Sequence, residues 1–231
     1  MNFSGWSRIT NQFLDSMSKS KFYNPFTKPN QISPKFAFLT LVWLVTVTGL
    51  TVAMIEYSNV PGALEEPPSN WPVNSQISLS KDQATLVLFA HPHCPCTIAT
   101  LDELEKLLAR CRGKVSSYVV LVRPANTSAD WGETAIKRTA SKIQGVKVVV
   151  DSAGILTKSF GCKTSGSALL YASDGTLLFQ GGITLARGHS GDNAGRSAIQ
   201  EILYGRKPEL TNTPVFGCGL LDSMCTMGDV N

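Results

Sequence analysis

Between Phe36 and Ile55 the chain runs for twenty residues without a charge. At about 1.5 Å per residue, a helix of that length crosses the roughly 30 Å hydrocarbon core of a bilayer. A core helix of a soluble protein would show a polar face, and this run supplies none. Lys35 precedes it, and Glu56, Glu65 and Glu66 follow. Residues 1–35 hold Arg8, Lys19, Lys21, Lys28 and Lys35 against Asp15, while the whole chain carries a net charge of +4. The positive excess therefore sits before the apolar run, and the remainder is balanced. Positive flanks stay in the cytoplasm. The expectation is a single-pass signal anchor in the inner (cytoplasmic) membrane, N-terminus inside, with the following domain periplasmic or otherwise extracytoplasmic. A cleaved signal peptide would have a shorter apolar core and a small-x-small cleavage site, and neither is evident.

Charged residues make up 16% of the 231, below the roughly 25% usual for soluble domains. The 43% hydrophobic content excludes a wholly disordered chain. The balanced charge after Lys35 argues against a nucleic-acid partner, which would need Lys and Arg gathered on one face. Five domains of sequence follow from this partition: a basic tail (1–35), the span (36–55), a linker (56–75), a folded domain (76–207) and a tail containing Cys and Met (208–231). Pro61, Pro67, Pro68 and Pro72 keep the linker from forming helix or inner strand, so it is expected to act as a spacer.

Within the folded domain, Thr85–Ala90 is a continuous apolar run, as a doubly buried parallel strand requires. Thr97–Arg110 is a helix in pattern: Leu101, Leu104, Leu108 and Cys111 fall on one stripe, with Asp102, Glu103 and Lys106 elsewhere. Tyr118–Val122 and Val146–Val150 read as strands, with a helix at Thr134–Ile143 between them and a short one at Gly154–Phe160 after. Ala168–Tyr171 and Thr176–Phe179 flank Ser173-Asp174-Gly175, a hairpin signal. A last helix runs over Asp192–Tyr204, with Asp192 or Ser190 as N-cap and Gly205 closing it. The order is βαβ units feeding a sheet that ends in an antiparallel hairpin, an α/β arrangement.

Between the first strand and its helix lies His91-Pro92-His93-Cys94-Pro95-Cys96. Thiols at a helix start meet unpaired amides and the positive end of the dipole, which favour a thiolate. Pro95 suits a first helical turn, and the imidazoles can donate to sulfur or move protons. Together these residues describe a reactive dithiol.

On the strength of Leu86-Val87-Leu88-Phe89-Ala90, the Cys94-Pro95-Cys96 turn and the terminal hairpin and helix, residues 76–205 resemble the thioredoxin superfamily. The likeness is to membrane-anchored bacterial members, including thiol–disulfide oxidoreductases of the cytochrome c maturation type and the RedB-like group. It implies a thioredoxin-like three-layer fold with a mixed central sheet, preceded by one transmembrane helix. It also implies exchange of electrons with protein thiols or disulfides and no organic cofactor. Cys94, Cys96 and His93 are the implied catalytic residues. The family motif Cys-x-x-Cys maps either with His93 in the nucleophile position or, with a shorter loop, with Cys94 there. A disulfide between Cys94 and Cys96 would close a small ring and need a non-helical turn. The family often carries a cis-proline opposite the cysteines. Here that loop reads Lys163-Thr164-Ser165-Gly166, whose backbone is the expected docking surface for a substrate strand.

Pro95, His91, Thr164, Ser165, Gly166, Arg187 and His189 are the expected surroundings of the thiols. Arg187 would favour a thiolate or bind an acidic group, and His189 would move protons. An alternative is copper: His91, His93, Cys94 and Cys96, with His189 at a distance, offer the nitrogen and sulfur donors of a metal chaperone such as those of the cytochrome oxidase assembly type. A third reading makes Cys94–Cys96 a static staple in an interaction domain. Cys111 reads as an inert core thiol, and Cys162 as a core or loop thiol or a resolving partner. Cys218 and Cys225, with Met224 and Met227, suit a disulfide, an internal substrate for the Cys94–Cys96 pair or a soft metal site.

Overall fold

The computed structural model describes residues 33–221 apart from Leu64 and Asn126. The basic tail before residue 33 and Met224, Cys225 and Met227 lie outside the described residues. Helix α1 spans Pro34–Asn59, longer than the uncharged run, and none of its side chains is buried. It is long and apolar enough to cross a membrane. Thr40, Thr46 and Ser58 each donate their hydroxyl to the carbonyl four residues back, at 2.9, 2.9 and 2.8 Å. That satisfies these groups without water. The chain divides into two compact units at Leu50/Thr51, inside α1.

The second unit holds a five-stranded sheet. Its elements are β1 (Ala84–Ala90), α2 (Cys96–Arg110), β2 (Val115–Arg123), a 3-10 turn at Ala129–Gly132, α3 (Ala135–Lys142), β3 (Val146–Ser152), α4 (Ile155–Ser159), β4 (Ser167–Tyr171), β5 (Leu177–Gly182) and α5 (Ala194–Leu203). The strand order is β3-β2-β1-β4-β5. β1 pairs parallel with β2 and antiparallel with β4; β2 and β3 are parallel, β4 and β5 antiparallel. The sheet is mixed, helices cover both faces, and the fold is thioredoxin-like.

β1 is central because it is apolar on both faces. Leu86, Leu88 and Ala90 pack with Leu101, Leu104 and Leu107 of α2, Ile136 of α3 and Ile199 of α5. Val87 and Phe89 point to the other layer, against Leu156, Phe160 and Tyr171. The expected stripe of α2 is buried, Cys111 included. Glu103 is not on a solvated face. It is fully buried, accepting from the Gly191 N–H at 2.9 Å, from Asn193 Nδ2 at 3.1 Å and from the Arg196 guanidinium. The N-cap of α5 is Asn193 rather than Asp192 or Ser190. Its side chain accepts from the Arg196 N–H at 2.8 Å, and the Glu103 contact holds it there.

Both flanking segments pack on this unit. In the proline-rich stretch, Trp71 sets its ring edge-on to Phe160 and Tyr171, at 5.1 and 5.3 Å. The Trp71 N–H donates to the Gly175 carbonyl at 2.8 Å, and the Leu177 N–H donates to Ser69 at 2.9 Å. The C-terminal stretch likewise follows the sheet. The Gln180 N–H donates to Thr211 at 3.0 Å, the Thr213 N–H to Gln180 at 3.2 Å and the Gly62 N–H to Val215 at 2.8 Å. Prolines bar regular structure in these segments but not edge hydrogen bonds through the other residues.

Glu103→Gln takes the buried carboxylate from Arg196, which keeps the exposed Asp192 at 2.7 Å, and so removes charge-assisted hydrogen bonds worth about 1.5–3 kcal/mol. It is therefore expected to lower unfolding stability of the full chain in detergent by about 2 kcal/mol in a denaturant titration. A change under about 0.5 kcal/mol, the range of ordinary surface substitutions, would deny the pair that role.

Candidate active site

β1 delivers the chain at Ala90 into the turn His91–Cys94, closed by the Cys94 N–H on the His91 carbonyl at 3.1 Å. The Thr97 N–H then reaches the Cys94 carbonyl at 3.0 Å, and α2 begins at Cys96 with Pro95 as its cap residue. Cys94 is wholly buried and Cys96 half-buried. The third thiol at this point belongs to Cys218, whose Sγ lies 3.2 Å from Cys94 Sγ. No disulfide links Cys94, Cys96 and Cys218 to one another.

The thiol hydrogen bonds of Cys218, then of Cys96, hold the Cys94 thiol far below its ordinary value, against the opposing effect of burial. Cys96 is pushed up by its contacts with Cys218 and Cys94 and by burial. Of this pair, Cys94 is the sulfur that favours the charge and Cys96 the one that holds its proton. Cys162 and Cys111 behave otherwise: burial pushes both up.

The imidazoles form the outer wall with Trp131, from the 3-10 turn. His91 is buried, with its ring edge-on to Trp131 at 5.3 Å; His93 lies 4.5 Å from the same ring. His93 Nε2 sits 2.9 Å from the Trp131 carbonyl, and the His93 N–H donates to His91 Nδ1 at 3.2 Å.

The loop expected to face the cysteines does so. The His91 N–H donates to Ser165 Oγ at 3.0 Å, and Thr97 Oγ1 lies 3.1 Å from the same oxygen. The Gly166 N–H donates to the Phe89 carbonyl at 2.8 Å, with Gly166 at φ +100°, which favours glycine. Beneath the loop, the carboxylate of Glu65 accepts from the Lys163 N–H at 3.2 Å, the Thr164 N–H at 3.0 Å and the Ser167 hydroxyl. Against the loop's outer edge lies the segment bearing Cys218. The Ser165 N–H donates to the Cys218 carbonyl at 2.8 Å, the Leu220 N–H to Lys163 at 2.9 Å, and Thr164 and Gly219 form an antiparallel bridge.

Arg187 donates not to a thiol but to the carbonyl of Gly217, and through Nε to Val60 at 3.3 Å. His189 is exposed, its Nδ1 turned to the Arg187 carbonyl at 2.7 Å in its own loop. The five donors of the copper reading are not assembled. Among the described residues no group of three or more His, Cys, Asp or Glu side chains is arranged to hold a metal ion. Trp131 is not marked in the sequence at all, and Glu65 is marked there only as a charge flanking the apolar run. Cys218, for which an internal substrate of the Cys94–Cys96 pair is one of the sequence readings, lies beside Cys94, set between Gly217 and Gly219, small residues that permit close backbone approach.

Fold and cluster together define a thioredoxin-like domain with three thiols gathered where β1 ends. No family model matches the chain, and no curated protein matches it in sequence. Solved structures are similar in fold. An uncharacterised conserved protein from Geobacillus kaustophilus is 18% identical at a TM-score of 0.51, covering 72% of this chain and 95% of that one. A hypothetical protein from Sinorhizobium meliloti 1021 is 18% identical at a TM-score of 0.51, covering 72% and 97%. The exposed lipoprotein thioredoxin of Streptococcus pneumoniae is 15% identical at a TM-score of 0.40, covering 61% and 99%.

Burial pushes the Glu65 carboxyl up from its ordinary value, more than its hydrogen-bond donors lower it. A raised folded value means the folded state holds the proton more tightly. Its contribution to stability is full below the ordinary carboxyl range and is lost as pH rises through the raised value. The melting temperature of the full chain should therefore lose a component across that interval, and Glu65→Gln should flatten it. Superimposable pH profiles for the two proteins would contradict this.

Proposed function

We propose that this chain is a membrane-anchored thiol–disulfide oxidoreductase. Its α1 serves as a signal anchor with the N-terminus in the cytoplasm, and its thioredoxin-like unit works on the outer side, where disulfides persist. Cys94 is the nucleophile. The observation that carries this reading is the burial of the Cys94 thiol within 3.2 Å of a second thiol, with its ionised form stabilised by two neighbouring sulfurs.

Exchange begins when the Cys94 thiolate attacks one sulfur of a partner disulfide. The Cys94–partner bond forms, the partner's S–S bond breaks, and its other sulfur leaves as a thiolate that takes a proton. A second thiol of this chain then attacks Cys94 sulfur and releases the partner as a dithiol. Cys96 and Cys218 are the two thiols within reach. Read backwards, the same steps oxidise a partner dithiol. Ser165 and Gly166 hold the loop against the turn, and His91 and His93 pack around Trp131 to fix its outer side. The partners are protein thiols or disulfides, not nucleic acid.

Reduction of a peptide disulfide by the full chain in detergent, driven by excess small dithiol, tests this. Cys94→Ser is expected to lower turnover more than about a hundredfold, because the nucleophile itself is gone. Turnover within about twofold of the parent, a ΔΔG‡ of about 0.4 kcal/mol or less, would defeat the proposal.

A further inference from the structure

We infer that Gly217–Leu220 is a built-in strand that occupies the loop edge where a partner peptide would pair, and that Cys218 is the thiol that completes exchange with Cys94. This rests on the oxidoreductase reading above and names the second thiol, which that reading leaves between Cys96 and Cys218.

Three observations carry it. The segment is docked as an added strand: Ser165 and Lys163 exchange backbone hydrogen bonds with Cys218 and Leu220, and Thr164 bridges Gly219 in antiparallel sense. Extended peptides dock on exposed backbone edges in this way, main-chain bonds giving affinity and side-chain pockets specificity. The segment is also anchored at both ends. Leu220 is wholly buried in the layer of Leu156 and Phe160, and the Arg187 guanidinium holds the Gly217 carbonyl. Finally, Gly217 fits so closely that a Cβ there would lie 1.9 Å from the Ser165 carbonyl oxygen.

Cys96 is the poorer partner for a bond to Cys94. Its thiol does reach the Cys94 sulfur, but Pro95 between them has φ −61° and ψ −27°, a helical conformation, and a disulfide between residues two apart closes a small ring that needs a non-helical turn. Cys218 already has its sulfur beside Cys94 with no such constraint. Because Cys94 is fully covered while the strand is in place, a partner disulfide reaches it only when the strand lifts. The partner then pairs with 163–165, and the mixed disulfide forms. On its return the strand brings Cys218 to Cys94 sulfur: the Cys94–Cys218 bond forms, the Cys94–partner bond breaks, and the partner's second sulfur leaves and is protonated. Two thiols of this chain have been oxidised and one partner disulfide reduced. A partner dithiol reverses the process. The favoured partner is an extended segment with glycine directly before its cysteine, as in Gly217-Cys218.

The full chain in detergent is equilibrated in mixtures of oxidised and reduced glutathione, quenched with an alkylating agent and mapped by mass spectrometry without reduction. The expected product joins Cys94 to Cys218 and leaves Cys96 alkylated. In the reduced chain, Gly217→Ala is expected to raise the alkylation rate of Cys94 about tenfold, because the added Cβ overpacks the docked strand and favours its opening. A Cys94–Cys96 disulfide in the parent chain, or Cys94 alkylated at the parent's rate in folded Gly217→Ala, would overturn the strand's role. The disulfide map needs no variant, so misfolding of Gly217→Ala does not spare the inference. If the oxidised chain carries Cys94–Cys96 and Cys94→Ser has lost turnover, this inference falls while the oxidoreductase reading stands. If Cys94→Ser keeps turnover, the oxidoreductase reading falls whichever disulfide is found.

Discussion

β1 is the constraint on which the other features depend. It is buried on both faces, and it is hydrogen-bonded on one side to a parallel strand and on the other to an antiparallel one. The parallel neighbour requires a crossover helix, so the chain must leave β1 through α2. The antiparallel neighbour runs the opposite way, so the start of β4 lies beside the end of β1, with Phe89 opposite Ser167. The turn at His91–Cys94 and the loop at 163–166 are thereby set against each other. The bonds from Gly166 to Phe89 and from His91 to Ser165 fix their separation. The meeting of cysteines and loop is a product of strand pairing, and no residue of the motif has to enforce it alone.

Five described cysteines share one fold and divide by what surrounds each sulfur. Cys111 and Cys162 sit in apolar packing, and burial pushes both thiols up. Cys94 is at least as buried, yet its thiol goes down, because its hydrogen bonds with the Cys218 and Cys96 thiols favour the ionised form. Desolvation disfavours an ion only while nothing replaces the lost water. Position at the start of α2 acts in the same direction, since the first amides of a helix have no intrahelical acceptors. The reactive thiol is therefore distinguished by neighbours brought from far along the chain.

The local part of this arrangement is legible in the sequence. The apolar run at 85–90, the stripe on α2, the Ser173-Asp174-Gly175 hairpin and the uncharged helix all follow from periodicity and turn chemistry, and the structure has them within a few residues. The motif at 91–96 and the facing loop at 163–166 were also accessible. What escaped was long-range polar pairing. Glu103 has the spacing of a solvated residue, and besides the local Lys106 it takes the arrival of Arg196, Asn193 and the Gly191 N–H to bury it. Asn193, one residue after one plausible cap and three after the other, wins because the same carboxylate orients it. Arg187 and His189 do lie in a loop leading back toward the site, but their partners are carbonyls, which a sequence does not mark. Proline-rich and terminal stretches read as a spacer and a tail because they lack a period. Their packing uses single aromatic contacts and edge hydrogen bonds, and these leave no periodic trace.

The glycines record the route of the C-terminal segment more clearly than any apolar pattern does. A Cβ on Gly181 would lie 2.3 Å from the Thr213 carbonyl oxygen, one on Gly182 2.6 Å from that of Pro214, and one on Gly195 2.0 Å from that of Gly182. β5 thus surrenders side chains along the edge where residues 211–215 run, and α5 surrenders one where it meets β5. Gly217 does the same at Ser165, one residue before the cysteine. Each concession weakens local structure, since glycine in a strand or helix loses more conformational entropy than alanine by roughly 0.5–1 kcal/mol. A segment with no role beyond covering an edge could lie one side chain further out and avoid that loss. Backbone contact this close fixes the height and register of the segment, and with them the approach of Cys218 to Cys94. A sulfur that must exchange bonds with another needs that control of distance, whereas a terminal tail packed for stability alone does not.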